Sequence, residues 1–195
     1  MHHLTGRRRT PTGCLRGDYS PATKVIHWLT AILVLAAFIY GPGGSEERVY
    51  SATRAFDRQL HETVGICVLA LSVARLLWRW FDARPASEPG FPWMARAATA
   101  VQAVLYALLF ALPLTAIMGA WLEGHPLTLL GSFEVPPPLA GTHSTGARIA
   151  AVHTWLGDCI IWLAGVHAAA ALFHHYVLND NVLRSMLPRG RQPLR

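Results

Sequence analysis

The stretch Arg148–Leu178, RIAAVHTWLGDCIIWLAGVHAAAALFHHYVL, decides the fold of this chain. It is long and apolar enough to cross a bilayer, shows no strand-like alternation, and carries no run of charge in its middle. It therefore reads as one membrane-spanning helix. Inside it, His153 and His167 stand 14 residues apart. At ~100° per residue that spacing is four turns less about 40°, so both imidazoles face one way, roughly 21 Å apart along the axis.

Working outward, three more stretches reach spanning length: about Ala22–Tyr40, Leu60–Phe81 and Ala97–Leu122. The chain has 195 residues, 52% hydrophobic and only 14% charged, with a mean hydropathy of +0.30. That is too apolar for an ordinary soluble domain of this size. The expected architecture is all-α, an integral membrane four-helix bundle, with residues 1–195 forming one transmembrane domain.

Basic residues are retained on the cytoplasmic side of a membrane, so their distribution predicts orientation. The N-terminal tail has Arg7, Arg8, Arg9, Arg16 and Lys24, and the second turn has Arg75, Arg79, Arg84 and Arg96. The C-terminal tail adds Arg184, Arg189, Arg191 and Arg195. Opposite them are only Arg48, Arg54, Arg58 and Arg148. Both termini are expected in the cytoplasm. The net charge of +6 and the pI near 9.8 follow from this topology and need no nucleic acid, because the bases are scattered over three segments. The first twenty residues lack an apolar core, so no cleavable signal is expected ahead of the first span. Cys14, Cys67 and Cys159 form no metal-finger spacing and no CxxCH; Cys67 and Cys159 read as small core residues.

An ionisable group in hydrocarbon is costly and reads as functional. His27 lies near the start of the first span and His61 near the start of the second, and consecutive spans run in opposite directions. His27 is then level with His167 and His61 with His153, giving one couple toward each membrane face. Four such histidines suit axial ligation of two non-covalent haems. The residues one turn beyond them, Ala31, Gly65, Gly157 and Ala171, are all small enough to leave room for a porphyrin rim. The third span has no histidine, and Pro113 should kink it. Two other readings fit the same residues. Each histidine can be a packing residue that donates to a carbonyl, and a zinc or proton-coupled transporter also uses membrane histidines, normally with carboxylates among its ligands. Here the nearby acids, Glu62 and Asp158, stand beside the histidines rather than opposite them.

If both imidazoles occupy each iron, no position is left open for oxygen, and outer-sphere electron transfer is the expected work. His174, 7 residues past His167, continues the same stripe about 10 Å closer to the cytoplasm. It is placed either to hydrogen-bond a quinone carbonyl and pass it a proton, or to face water at headgroup level as His175 is expected to do. Arg75, 14 residues beyond His61, is expected at the depth of the other haem as a propionate partner, with Arg79 a topology anchor. The loop Gly41–Gln59 balances Glu46, Glu47 and Asp57 against three arginines. Prolines 85, 89 and 92 restrict helix in the Asp82–Arg96 link. The Glu123–Gly146 loop, with Pro136-Pro137-Pro138 among apolar residues, is suited either to covering a buried group or to serving as a passive connector.

Several strings carry a family resemblance: Tyr19-Ser20 with Ile26-His27-Trp28, Arg75-Leu-Leu-Trp-Arg79, and Ala111-Leu-Pro113-Leu-Thr115. Most specific is Gly165-Val-His167-Ala-Ala-Ala-Ala-Leu-Phe-His174-His175-Tyr176, followed by Asn179-Asp180-Asn181-Val-Leu-Arg184 and Met186-Leu-Pro188. Together, from about Asp18 to Pro188, the chain resembles the bacterial di-haem cytochrome b561 family. The resemblance implies a four-helix inner-membrane bundle holding two non-covalent b haems on His27, His61, His153 and His167. It also implies electron transfer between superoxide at the periplasmic face and ubiquinone at the cytoplasmic side, with His174 at the quinone. Related b-type subunits serve hydrogenases or dehydrogenases instead. One departure stands out: relatives often have Trp-His-Glu where this chain has Val152-His153-Thr154. Arg48, Arg54 and Arg58 can attract an anion such as superoxide or dock an acidic donor, although their acidic neighbours weaken the field.

Overall fold

A computed structural model describes residues 19–82, 92–131, 133–138 and 141–188. The expectations for Arg7, Arg8, Arg9, Arg16, Cys14, Arg84, Pro85, Pro89, Arg189, Arg191 and Arg195 fall outside the described residues. The elements run α1 (Pro21–Tyr40), α2 (Glu46–Val49), a 3-10 turn (Ala52–Arg54), α3 (Ala55–Trp78), α4 (Pro92–Glu123), β1 (Leu127–Leu129), β2 (Phe133–Val135), α5 (His143–Tyr176) and α6 (Val182–Met186). Four helices are long and apolar enough to cross a membrane.

Three of these helices start about five residues before the expected spans. In α3 and α5 the added first turns, with Asp57 and Arg58 or His143 to Thr145, are too polar to register as hydrophobic, yet they continue the same hydrogen-bond ladder. Pro92 opens α4 rather than blocking it, because the first turn has no intrahelical use for the N–H that proline lacks. The second span is shorter than expected at its far end. Past Trp78 the chain tightens into turns, with Phe81 N–H donating to Trp78 O at 2.9 Å.

Each helix lies against its sequence neighbour in opposite direction. Asp82, just past α3, accepts from Ser20 Oγ at 2.8 Å and from Thr23 Oγ1, which pins the end of α3 to the start of α1. Ser20 also caps α1, its Oγ accepting from Thr23 N–H. At the opposite end of the bundle α4 meets α5 closely: a Cβ added at Gly146 would lie 2.7 Å from the Glu123 backbone nitrogen, and one at Gly119 would lie 3.1 Å from Ala150 N. Small residues at such crossings let membrane helices approach by van der Waals packing. The most extensive packing is α4 on α5 and α1 on α3, so the molecule is two helical hairpins set side by side.

Val64, Val68, Leu108, Leu109 and Ile160 join the hairpins in a small core. Outside it, Ile32, Leu35, Ile39, Trp162, Val166 and Phe173 remain exposed, an arrangement suited to lipid rather than water. Trp80, Phe81 and Trp93 crowd the end where α3 hands over to α4, in the manner of an interfacial aromatic belt.

The departure from helix, among the described residues, lies in the long loop before α5. Leu127 pairs with Val135 and Leu129 with Phe133 in a short antiparallel hairpin, turned through Gly131 at φ 84°. The hairpin is fastened to the first turns of α3. Thr128 N–H donates to Glu62, Arg58 donates to Thr128 Oγ1 at 3.2 Å, and Leu130 N–H donates to Thr63 Oγ1 at 2.9 Å.

Candidate functional site

Two imidazole couples occupy the space between the helical hairpins. The rings of His61 (α3) and His153 (α5) have centroids 5.9 Å apart with planes at 85°. Those of His27 (α1) and His167 (α5) are 6.5 Å apart at 73°. Helix α5 therefore supplies one ring to each couple.

The His61–His153 couple is oriented by main chain. His61 Nδ1 bonds Ala37 O at 2.7 Å and His153 Nδ1 bonds Leu112 O at 2.9 Å. A carbonyl only accepts, so each Nδ1 carries the proton and each Nε2 keeps a free lone pair. Local backbone makes the first of these acceptors available. At the end of α1, Gly41 N–H turns to Phe38 O, which leaves the Ala37 carbonyl for His61. In α4, Leu112 O accepts from Thr115 Oγ1 at 2.9 Å as well as from His153, using both of its lone pairs outside the main-chain ladder. The span without a histidine thus contributes the acceptor that sets the His153 ring.

At the His27–His167 couple, His27 Nδ1 is buried without a hydrogen-bond partner among the described residues. The Trp28 indole stands edge-on to His27 at 5.6 Å, and Arg75 is an electrostatic neighbour of both His27 and His167. The Arg75 and Arg79 guanidinium groups lie over the Tyr106 ring at 5.5 and 5.8 Å.

This geometry suits a metal macrocycle clasped between rings. Imidazole–metal bonds are ~2 Å long, and the nitrogen lies about 1 Å from its ring centroid. Two imidazoles trans across one metal therefore have centroids roughly 6 Å apart, close to both observed separations. Gly65 and Gly157, one turn beyond His61 and His153, have no atom within 4 Å of where a Cβ would stand, so open space adjoins the rings. Neither of the acids beside these histidines turns toward the couples: Glu62 is held by Arg58 and the Thr128 amide, and Asp158 is exposed.

At the end of α5, Asn179 takes φ 54°, a left-handed turn that asparagine tolerates, and the chain doubles back. Asp180 is thereby brought to His174, its Oδ2 accepting from Nδ1, while its Oδ1 accepts from Val182 N–H at 3.0 Å and starts α6. Nε2 of His174 is then the nitrogen left for a ligand. Nδ1 of His175 is buried without a partner among the described residues, and its ring meets Tyr176 edge-on. The α6 segment closes over the start of α1, where Trp28 Nε1 donates to Met186 O at 2.9 Å and Lys24 Nζ to Leu187 O at 3.2 Å.

At the other end, Arg54 pairs with Asp57 at 2.9 Å and Arg58 with Glu62 at 3.5 Å, so of Arg48, Arg54 and Arg58 the last two are already engaged. Glu46 accepts from His125 and His143, and these hydrogen bonds hold its carboxyl below the usual carboxylate range. Burial, reinforced by Glu123 and Glu62, pushes the Tyr50 phenol upward.

A sequence profile described as prokaryotic cytochrome b561 matches residues 18–189. The chain is 32% identical to Cytochrome b561 homolog 2 of Escherichia coli K12, over 88% of this chain and 92% of that protein. It is 33% identical to Cytochrome b562 of Cereibacter sphaeroides, over 88% and 96%. With Probable superoxide oxidase CybB of Yersinia pestis it shares 30% identity, over 89% and 97%. On this profile match, these identities and its four apolar helices, the chain belongs to the prokaryotic cytochrome b561 family and is a multi-pass inner-membrane protein that transfers electrons on haem b.

Proposed function

We propose that residues 1–195 form one transmembrane domain holding two b haems, one on His61 and His153 and one on His27 and His167. In this reading the chain passes electrons from superoxide at the periplasmic face to ubiquinone near the cytoplasmic face. Both termini lie in the cytoplasm, as the basic residues of the flanks suggest. The observation that carries the reading is the pair of imidazole couples, each at a ring separation with room for one metal ion between two imidazoles.

Bound haem b would supply a one-electron couple at each level of the bilayer. The chain's own residues do the rest. Ala37 O and Leu112 O fix the outer rings in the tautomer that presents Nε2, and hydrogen bonding of this kind also raises ligand basicity. Held by two imidazoles, each iron would lack an open position, so the chemistry it would supply is outer-sphere electron transfer and not oxygen binding. Arg75, beside the inner couple, is suited to pair a propionate. His174, held by Asp180, is suited to deliver a proton to a quinone oxygen through Nε2. Two superoxide anions each lose one electron and become oxygen; one quinone gains two electrons and two protons and leaves as quinol. The name of the Yersinia relative supports superoxide as the donor.

A pyridine haemochrome titration should give two haems per chain. Haem-loaded protein supplied with superoxide and a short-chain ubiquinone should then form one quinol for every two superoxide anions consumed. Haem without quinol formation would overturn the superoxide reading and assign the chain to the role of an electron-carrying subunit fed by a partner. A colourless preparation would overturn the haem reading itself.

The glycine cradle gives an independent check. Gly157→Ala meets no protein atom and should favour helix by about 1 kcal/mol, whereas Gly157→Leu would fill the space reserved for the rim of the outer haem. The expected result for the leucine variant is normal helical content with about half the wild-type haem, read by circular dichroism and haemochrome. Full haem in that variant would show the space to be unused.

A further inference from the structure

The outer end of the bundle carries a second group of ligating side chains that the electron path does not use. Glu46 comes from α2, Glu123 from the last residue of α4, His125 from the link between α4 and β1, and His143 from the first turn of α5. His125 Nε2 donates to Glu46 Oε1 at 2.7 Å, and His143 Nε2 donates to Oε2 of the same carboxylate at 2.9 Å. Ligand atoms of Glu46, Glu123 and His125 all lie within 4.8 Å of one another. Among the described residues, neither carboxylate is paired with a lysine or arginine.

We propose that Glu46, Glu123, His125 and His143 form a site for one divalent transition-metal ion, with zinc the best fit. Two imidazole nitrogens and two carboxylate oxygens match the tetrahedral, mixed nitrogen and oxygen coordination of zinc. Calcium and magnesium would want an all-oxygen set. On binding, the ion replaces the two N–H···O bridges: each neutral imidazole shifts its one proton from Nε2 to Nδ1 by exchange with solvent and presents the Nε2 lone pair, while the carboxylates bind as anions.

The surroundings are arranged for such a role. The Tyr50 ring stacks on His125, with centroids 3.5 Å apart and planes at 19°, and Arg58 lies over the other ring partner, Tyr50, at 5.1 Å. This support holds the His125 ring in place. Side-chain exposures of 29% for His125, 39% for Glu46 and 60% for His143 leave the site open to exchange with solvent. A cleft of about 420 Å³ opens beside it, lined by Glu123, His143, Pro137 and Pro138. An ion here would tie three connecting segments together. Through His125, two residues before β1, it would steady the hairpin fastened to Glu62 and Thr63 beside His61.

The test is isothermal titration of zinc alone into chelator-stripped, haem-loaded, full-length protein, in a background lacking the competing His2 and His3. One equivalent should bind with a Kd of about 10 μM or tighter. The zinc X-ray absorption edge should show two imidazole ligands. Glu46→Gln and the double variant His125→Ala/His143→Ala should each weaken binding at least about tenfold, with haem content unchanged as proof of folding. Failure to bind zinc at about 100 μM would overturn the site, as would equal binding by the double variant.

Discussion

His61→Ala should lower haem from two per chain to one and leave the remaining centre on His27 and His167. The substitution removes one ring of the outer couple and frees the Ala37 carbonyl. That carbonyl ends a helix and is within reach of the Gly41 amide, so the cost to the fold should be about 1 kcal/mol. The inner rings sit roughly 21 Å away along α5 and share no hydrogen bond with the outer pair. A haemochrome count of one, with a single b-type signal left in the reduced-minus-oxidised spectrum, is the expected outcome. Loss of both haems from a chain of unchanged helical content would refute independent sites. Retention of two would refute the pairing.

The second large effect is expected at His174. His174→Ala should keep both haems yet slow quinone reduction roughly a hundredfold, the loss typical of a missing proton donor. Asp180→Asn preserves an acceptor oxygen but not the charge beside Nδ1, so it should fall between wild type and His174→Ala and should change the pH profile of quinol formation. Separating kcat from KM decides between roles: a proton donor acts mainly on kcat, a docking group mainly on KM. Unchanged quinol formation in His174→Ala would make His174 a headgroup-level histidine and nothing more.

The spans and the imidazole pairing were legible because both follow from periodicities of the chain itself. A spacing of 14 residues returns to the same helix face, and alternating spans place His27 level with His167 and His61 level with His153. The carbonyl acceptors at Ala37 and Leu112 were not legible, since every residue has a carbonyl and only the folded ladder shows which are left over. Pro113 gives no hint of the Leu112 acceptor, because a proline frees the carbonyl four residues earlier, that of Leu109, and not the one at Leu112. The Asp180 partner of His174 depends on one left-handed residue, Asn179, which a helix-and-loop reading passes over. The hairpin at Leu127–Val135 also stayed hidden, because three-residue strands have too few residues to show alternation and are stabilised mainly by their hydrogen bonds to Glu62 and Thr63. His125 and His143 drew no notice for a related reason: their partner, Glu46, is far away in the chain.

Because α5 contributes a ring to each couple, neither couple can exist while the protein is still being made. His27 is synthesised 140 residues before His167, roughly ten to thirty seconds earlier at bacterial elongation rates. During that interval the first histidines enter the bilayer without their partners. The last helix to be inserted thus completes both couples at once, and a chain truncated before α5 has neither.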